Sequence, residues 1–282
     1  DGGGGGGGAA CVALGVSTRS RPEHTSVSEL PLFTVLLPSV LATVTPSNGS
    51  AYAGAPRIRY ELHVGHDPDD PFWRVDANVD AARAHVAAVA AGIELKLVVS
   101  SLAGMRGAPC WVWSSLFNAS CSAGCDYYYQ LNDDIRLVTP GWAEEFVETL
   151  RSNAYVPNLG LVGPLDTNNP RLMTQSFAHC THRDVFGYYY PAEFRNWYSD
   201  DWATQVYGGR NTFWRKDIEV YHQLASLGPR YAVSYEDKQH LATQVSRGRK
   251  TIAAYVAAHH PTSRPFETQI KKAEREAVVP DS

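Results

Sequence analysis

The chain has 282 residues and a formal net charge of −4, with 44% hydrophobic and 19% charged residues. That length can bury a sizeable core, and the composition excludes a chain that is disordered or fibrous throughout. A mildly acidic chain with no long Lys/Arg run is also a poor match to a dedicated nucleic-acid binder, so no nucleic-acid partner is expected.

Asp1 and the run Gly2–Gly8 read as a flexible lead covering residues 1–9. A chain that opens this way looks like a fragment or a processed form, so any signal peptide or membrane anchor is expected in a segment outside it. Cys11–Val16 is a short apolar strand that ends in the polar loop Ser17-Thr18-Arg19-Ser20-Arg21-Pro22. Leu30–Pro56 is the longest uncharged stretch. It holds Pro31, Pro38 and Pro46, and it reads as a helix plus loop in preference to a membrane span.

Ile58, Tyr60, Leu62 and Val64 alternate with charged or polar residues, which predicts a strand over 57–65 ending at the acidic turn His66–Pro71. Asp76 is placed to cap a helix whose apolar face is Val79, Ala82, Val86 and Val89. Ile93–Val99 is the next strand, and a helix through Trp111, Leu116 and Phe117 closes at Gly124. Tyr127–Leu131 is a strand that runs directly into Asn132-Asp133-Asp134. Thr139-Pro140 opens a helix with Trp142, Phe146 and Leu150 on one face, and Leu159–Val162 is a further strand. From His179 onward the chain is aromatic-rich and loop-rich, with shorter helices expected. Phe213–His222 and Ile252–Ala258 read as strand-like.

Strands that alternate with helices predict an α/β fold: an open, mixed but mostly parallel sheet flanked by helices, in one domain over 10–265 with a charged helical tail over 266–282. In such sheets ligands bind outside the carboxyl ends of the strands. The 15 Tyr and 7 Trp could line a sugar-binding cleft, although core packing accounts for most of them. The five Cys are odd in number and contain no C-x-x-C pair, which argues against a Cys-built zinc site. The sequons at Asn48 and Asn118 permit a secretory lumen, with Asn48 the better acceptor because it sits in a loop-like stretch.

Two constellations carry chemistry. Asp133 and Asp134 lie at the end of a buried strand, where paired carboxylates are costly without compensation. A hard divalent cation, Mn²⁺ or Mg²⁺, would compensate them, and a simple Asn-Asp-Asp turn is the plain alternative. The second constellation is Asn196–Trp202, where Asp200 and Asp201 stand at a helix start between Trp197 and Trp202. Ser199 could cap that helix, and a partly desolvated Asp there would have the raised pKa that suits a general base. No Gly-x-x-x-x-Gly-Lys-Ser/Thr loop is present, so a P-loop is not the phosphate site. His179 and His182 are spaced for metal, but no further ligands stand at zinc spacing, so they read as loop or acceptor-site residues.

The segment Ala123 to Asp134 resembles the approach to the D-x-D motif of GT-A fold glycosyltransferases, and is most similar to the inverting family 2 group, with Asn132 in place of the first acid. The order of the other parts agrees over about residues 10 to 225. The resemblance implies transfer of a sugar from a nucleotide-diphosphate sugar, expected to be UDP-linked and of the hexosyl type, to a hydroxyl acceptor such as a glycan or glycoprotein. Inversion, metal dependence and a Golgi or ER lumen location are the corresponding expectations, with the cytoplasm as the other location. It places Thr18, Arg19, Asp67, Asn132 and Asp133 at the donor and Asp134 and Asp133 on the metal, with His222 completing the metal shell. It places Asp201, with Asp200 beside it, as the base, and Trp197, Tyr198 and Trp202 at the acceptor. Glu236-Asp237, paired with His259 or His260, is the competing set. A sugar-phosphate nucleotidyltransferase would need a Gly-rich basic first loop, which Ser17–Arg21 lacks. A non-catalytic carbohydrate-binding module of the same fold is the remaining alternative.

Overall fold

The protein is seen here as a computed structural model that describes residues 9–46, 57–223 and 235–276. The Asn48 sequon, most of the Gly-rich lead and the last part of the tail lie outside the described residues. The strands are β1 (Ala10–Ser17), β2 (Ile58–His66), β3 (Leu95–Ser101), β4 (Tyr127–Asn132), β5 (Ile135–Leu137), β6 (Leu161–Asp166), β7 (Phe177–His179) and β8 (Thr212–His222). Among the described residues they form one eight-stranded sheet in the order β3-β2-β1-β4-β7-β6-β8-β5. β3, β2, β1 and β4 pair in parallel. β7 runs antiparallel to both β4 and β6, so β6 points the same way as β4, as does its parallel partner β8. Only β7 and the short β5 run the other way. Six carboxyl ends therefore reach one edge of the sheet. This is a Rossmann-like mixed α/β arrangement, consistent with the GT-A fold.

The helices are α1 (Leu37–Thr43), α2 (Asp76–Val89), α3 (Pro109–Ser122), α4 (Trp142–Arg151), α5 (Thr181–Phe186), α6 (Ser199–Val206), α7 (Tyr235–His259) and α8 (Phe266–Glu276). Two buried clusters hold them to the sheet. One joins Phe33, Trp73, Tyr129, Trp142 and Phe146, and the other joins Phe117, Tyr128, Tyr189, Trp202 and Val206. Gly15 on β1 exists for the second cluster, since a Cβ there would fall inside the Tyr128 ring, whose hydroxyl donates to the Trp113 carbonyl. No helix among the described residues is long and apolar enough to cross a membrane.

Several expectations are corrected. Ile252–Ala258 is not strand-like but the last part of the 25-residue α7, in a region where shorter helices were expected. Val245, Gly248, Ile252 and Val256 are buried, and that three-to-four-residue spacing, in an Ala-rich run, is helical. Asp76 and Ser199 are first helical residues instead of caps: the caps are Val75 and a left-handed Tyr198 at φ 62°. Asn118 lies within α3 and donates its amide to the Gly187 carbonyl, a poor setting for a glycan acceptor. Four of the cysteines pair, Cys11 with Cys125 and Cys121 with Cys180, leaving Cys110 free and buried.

Candidate active site

The site lies at the shared carboxyl edge. β4 hands its direction to the turn Asp133-Asp134, and both side chains are buried, at 1% and 4% exposure. Each carboxylate is held by a different strand end. The Thr18 hydroxyl, just past β1, donates to Asp133 Oδ2 at 2.8 Å. His222, the last residue of β8, places Nε2 3.0 Å from Asp134 Oδ1. Asn132, at the end of β4, is only partly buried and faces the same edge.

Asp166 closes β6 beside them and is 1% exposed. It accepts from the Asn168 N–H at 2.9 Å and the Thr174 hydroxyl at 2.7 Å. Asn168 Oδ1 in turn accepts the His222 N–H at 3.3 Å. Thr174 has one proton and gives it to Asp166, so the Gln175 amide within 2.7 Å of the same hydroxyl is best turned with its NH₂ as donor, which also gives its otherwise unpartnered Nε2 a partner. Asp166 was missed from the sequence, although the signal was present. It ends the apolar run Leu161–Leu165 as Asp133 ends Tyr127–Leu131, but the predicted strand stopped at Val162.

Asp200 and Asp201 open α6, as their sequence position implies. They differ in what surrounds them. Burial, the neighbouring Asp201 charge and Asp166 push the Asp200 carboxyl up to about 7, while His222 and the Ser199 hydroxyl pull the other way. Asp201 is raised as well, by burial, with a backbone hydrogen bond pulling the other way. The charges of Asp166 and His222 act on Asp200. A carboxyl raised by burial and by like charges is suited to act as a general base.

The donor-side residues gather less tightly. Asp67 follows β2, and Arg19 reaches it only at 4.0 Å with half its side chain exposed, an ion pair of little energetic weight. The loop between them is fixed by Asp70, which takes N–H groups from Ser20, Phe72 and Trp73. Of the residues expected at the acceptor, Trp197 is 37% exposed and Tyr198 partly so. Trp202 is a correction: it is fully buried with its indole N–H on the Gln244 carbonyl, so it is core and not acceptor surface.

The competing set does not assemble. His259 is exposed on α7 and donates its Nδ1–H to the Tyr255 carbonyl, and His260 follows the helix beside Tyr255. Asp237 is buried and its Oδ2 accepts the three successive amides of Arg195, Asn196 and Trp197 at 3.2, 3.4 and 3.3 Å. Such a nest of N–H groups is an anion seat that here fixes the loop carrying Trp197. Asp237→Ala should therefore cost roughly 1–3 kcal/mol of stability while leaving donor affinity unchanged, as read by urea unfolding and calorimetry side by side. His182 is likewise structural: burial takes its pKa down to about 4, and both ring nitrogens are bonded, to the Tyr207 hydroxyl and the Tyr189 carbonyl. Cys11, Glu61 and Cys125 lie within 4.8 Å of one another, but the two sulfurs are joined and Glu61 is paired with Arg59 and His63.

The carboxyl edge brings together two atoms that could bind a cation, Asp134 Oδ1 and His222 Nε2, whereas among the described residues the group of three or more possible ligands lying within 4.8 Å of one another is the Cys11, Glu61 and Cys125 group. Two cis ligands of an octahedral ion with bonds of about 2.1 Å stand about 3 Å apart, which is the separation of Asp134 Oδ1 and His222 Nε2. Asp133 and Asp134 supply the oxygen character that Mg²⁺ or Mn²⁺ prefers.

The acids lie where the parallel strands end, the edge at which open α/β sheets bind ligands. No family model and no curated protein matches the chain. Among solved structures the chain is similar to S. aureus TarS, with a TM-score of 0.48 and 13% identity, over 90% of this chain and 44% of that one. It is similar also to S. aureus TarS 1-349 in complex with UDP, again with TM-score 0.48 and 13% identity, over 88% of this chain and 71% of that one. The chain thus spans less than half of the longer TarS structure.

Proposed function

We propose that the protein is a glycosyltransferase that moves one sugar from a nucleoside-diphosphate sugar, UDP-linked by first choice, to a hydroxyl acceptor with inversion. The observation that carries this reading is the contact of Asp134 with His222 at the sheet edge that also bears Asp133, with the raised carboxyl of Asp200 near enough to respond to His222. Asp134 and His222, with Asp133 next in the chain, would hold Mn²⁺ or Mg²⁺. When bound, such an ion offsets the negative charge that builds on the departing diphosphate. Thr18 keeps Asp133 turned toward the site, and Asp67 and Arg19 stand where the nucleoside would lie. Trp197 and Tyr198 offer the faces on which an acceptor glycan or glycoprotein sugar would stack.

In the transfer, Asp200 takes the proton of the acceptor hydroxyl as its oxygen bonds to the anomeric carbon. The bond from that carbon to the diphosphate oxygen breaks in line, and its electron pair leaves with the nucleoside diphosphate. One base and one in-line displacement invert the anomeric centre. The two disulfides support a secretory-lumen setting, where such bonds persist. The deciding experiment is a thermal-shift screen of nucleoside diphosphates with and without Mn²⁺. Stabilisation by one nucleotide only when metal is present supports the reading, through binding linkage. A flat response to every pair excludes it.

A further inference from the structure

β8 is not a continuous strand against β6. The two pair from Leu161↔Thr212 to Pro164↔Arg215, then resume at Leu165↔Glu219 and Asp166↔Val220. Lys216, Asp217 and Ile218 are extra on β8. An uninterrupted ladder would set Asp217 where Val220 now lies, opposite Asp166. Three residues at about 3.3 Å each amount to about 10 Å along the strand, so His222 would overshoot Asp134. The shift is odd, so the side chains beyond it would also change faces. Val220, now 1% exposed, would yield its buried place to a carboxylate facing another carboxylate.

The bulge has a clamp. Arg215 forks onto Asp217, the middle one of the extra residues, Nε to Oδ1 at 2.9 Å and Nη2 to Oδ2 at 2.7 Å. Its Nη1 reaches α4, donating to Glu145 Oε2 and Thr149 Oγ1, each at 3.0 Å. A two-bond guanidinium–carboxylate fork fixes geometry as well as charge. The neighbouring step is weakened in advance, because Pro164 has no N–H to give to the ladder, and the Trp214 indole N–H caps its carbonyl at 3.0 Å. Beyond the bulge, β8 picks up β5 with Leu137↔Val220 and Ile135↔His222.

We infer that Arg215 is a positioning residue: by clamping the three-residue bulge between Asp217 and α4, it sets the register that brings His222 onto Asp134. The strand register stands by itself, whereas its effect on donor binding rests on the function proposed above.

The test uses the full chain with Arg215→Met, which keeps the apolar stem, and Arg215→Lys, which keeps the charge without the fork. Arg83→Met, which removes an exposed pair with Asp80 on α2, serves as control. Two readouts are taken: the cross-strand nuclear Overhauser effects between residues 135 and 222, and Mn²⁺–UDP affinity by calorimetry. We expect Arg215→Met to abolish the 135–222 Overhauser effects and to weaken affinity by about 10- to 100-fold, as when the support behind a metal ligand is removed. Arg215→Lys should fall between, and Arg83→Met should change neither. Intact 135–222 effects in Arg215→Met overturn the inference, even if the variant melts earlier. Should Arg215→Met not fold, Arg215→Lys and Asp217→Asn decide by the same Overhauser effects. If those effects vanish in Arg215→Met while even the unaltered protein ignores Mn²⁺–UDP, the clamp is upheld and the donor reading falls instead.

Discussion

Asp134→Ala should abolish metal-dependent nucleotide binding while the sheet survives. Asp134 stands in a two-residue turn at the end of β4, and its Oδ1 is within 3.0 Å of His222 Nε2. Removing it takes away one of the two atoms whose spacing fits a single ion and leaves the imidazole without its carboxylate. Loss of a supporting residue costs roughly 10–100-fold in metal affinity, so loss of a ligand should exceed about 100-fold. Calorimetry with Mn²⁺ and UDP measures it, and far-ultraviolet circular dichroism checks the fold. His222→Ala should weaken binding in the same assay, whereas His260→Ala should not. Unchanged affinity in Asp134→Ala would remove the cation from this edge.

The second large effect concerns Asp200. Asp200→Asn keeps the shape and removes the proton acceptor, so turnover should fall by about 10²- to 10⁴-fold with donor affinity nearly unchanged. Asp201→Asn should fall far less if Asp200 is the base, and equally if Asp201 is. The same substitution carries a stability signature of definite sign. Folding raises the Asp200 pKa from 3.8 to about 7, so the folded protein binds a proton that the unfolded chain releases. That stabilisation is fully present below pH 3.8 and fades as pH rises through about 7. Above pH 7 the native protein carries a desolvated charge that Asn lacks. In metal-free buffer at pH 8, Asp200→Asn should therefore melt higher than the unaltered protein while being nearly inactive. A variant that is both active and no more stable would show that Asp200 is neither the base nor strained.

The carboxyl-edge logic made much of this visible beforehand. Tyr127–Leu131 is apolar and β-prone, and it breaks into Asn-Asp-Asp, so both the strand and the polarity of its end could be read directly. The same reasoning located α6 and the alternating stretch that ends at His222. What escaped was long-range. The electrostatic setting of Asp200 depends on Asp166 and His222, which lie more than twenty residues away on either side in the chain, and no local pattern encodes that. Trp202 sits beside an acidic pair, but α7 covers it, and α7 was itself misread because Ile252–Ala258 was judged by its apolar content and not by its three-to-four-residue spacing. The half-sheet β6, β7, β8 and β5 was hardest, since β7 is three residues long and β8 hides a bulge.

Both disulfides lie on the far side of the sheet from the acids. Cys11 and Cys125 join the amino ends of β1 and β4, and Cys121 and Cys180 tie the end of α3 to the residue after β7, which also finishes at that edge. The protein is thus anchored like a fan at its handle. The covalent ties restrain where the ribs meet, and the spread edge, where donor and acceptor would enter and product would leave, is held only by hydrogen bonds and packing. Opening and closing of that rim can then proceed without straining a bond, and reducing agents should shorten the protein's lifetime before they alter the arrangement of its acids.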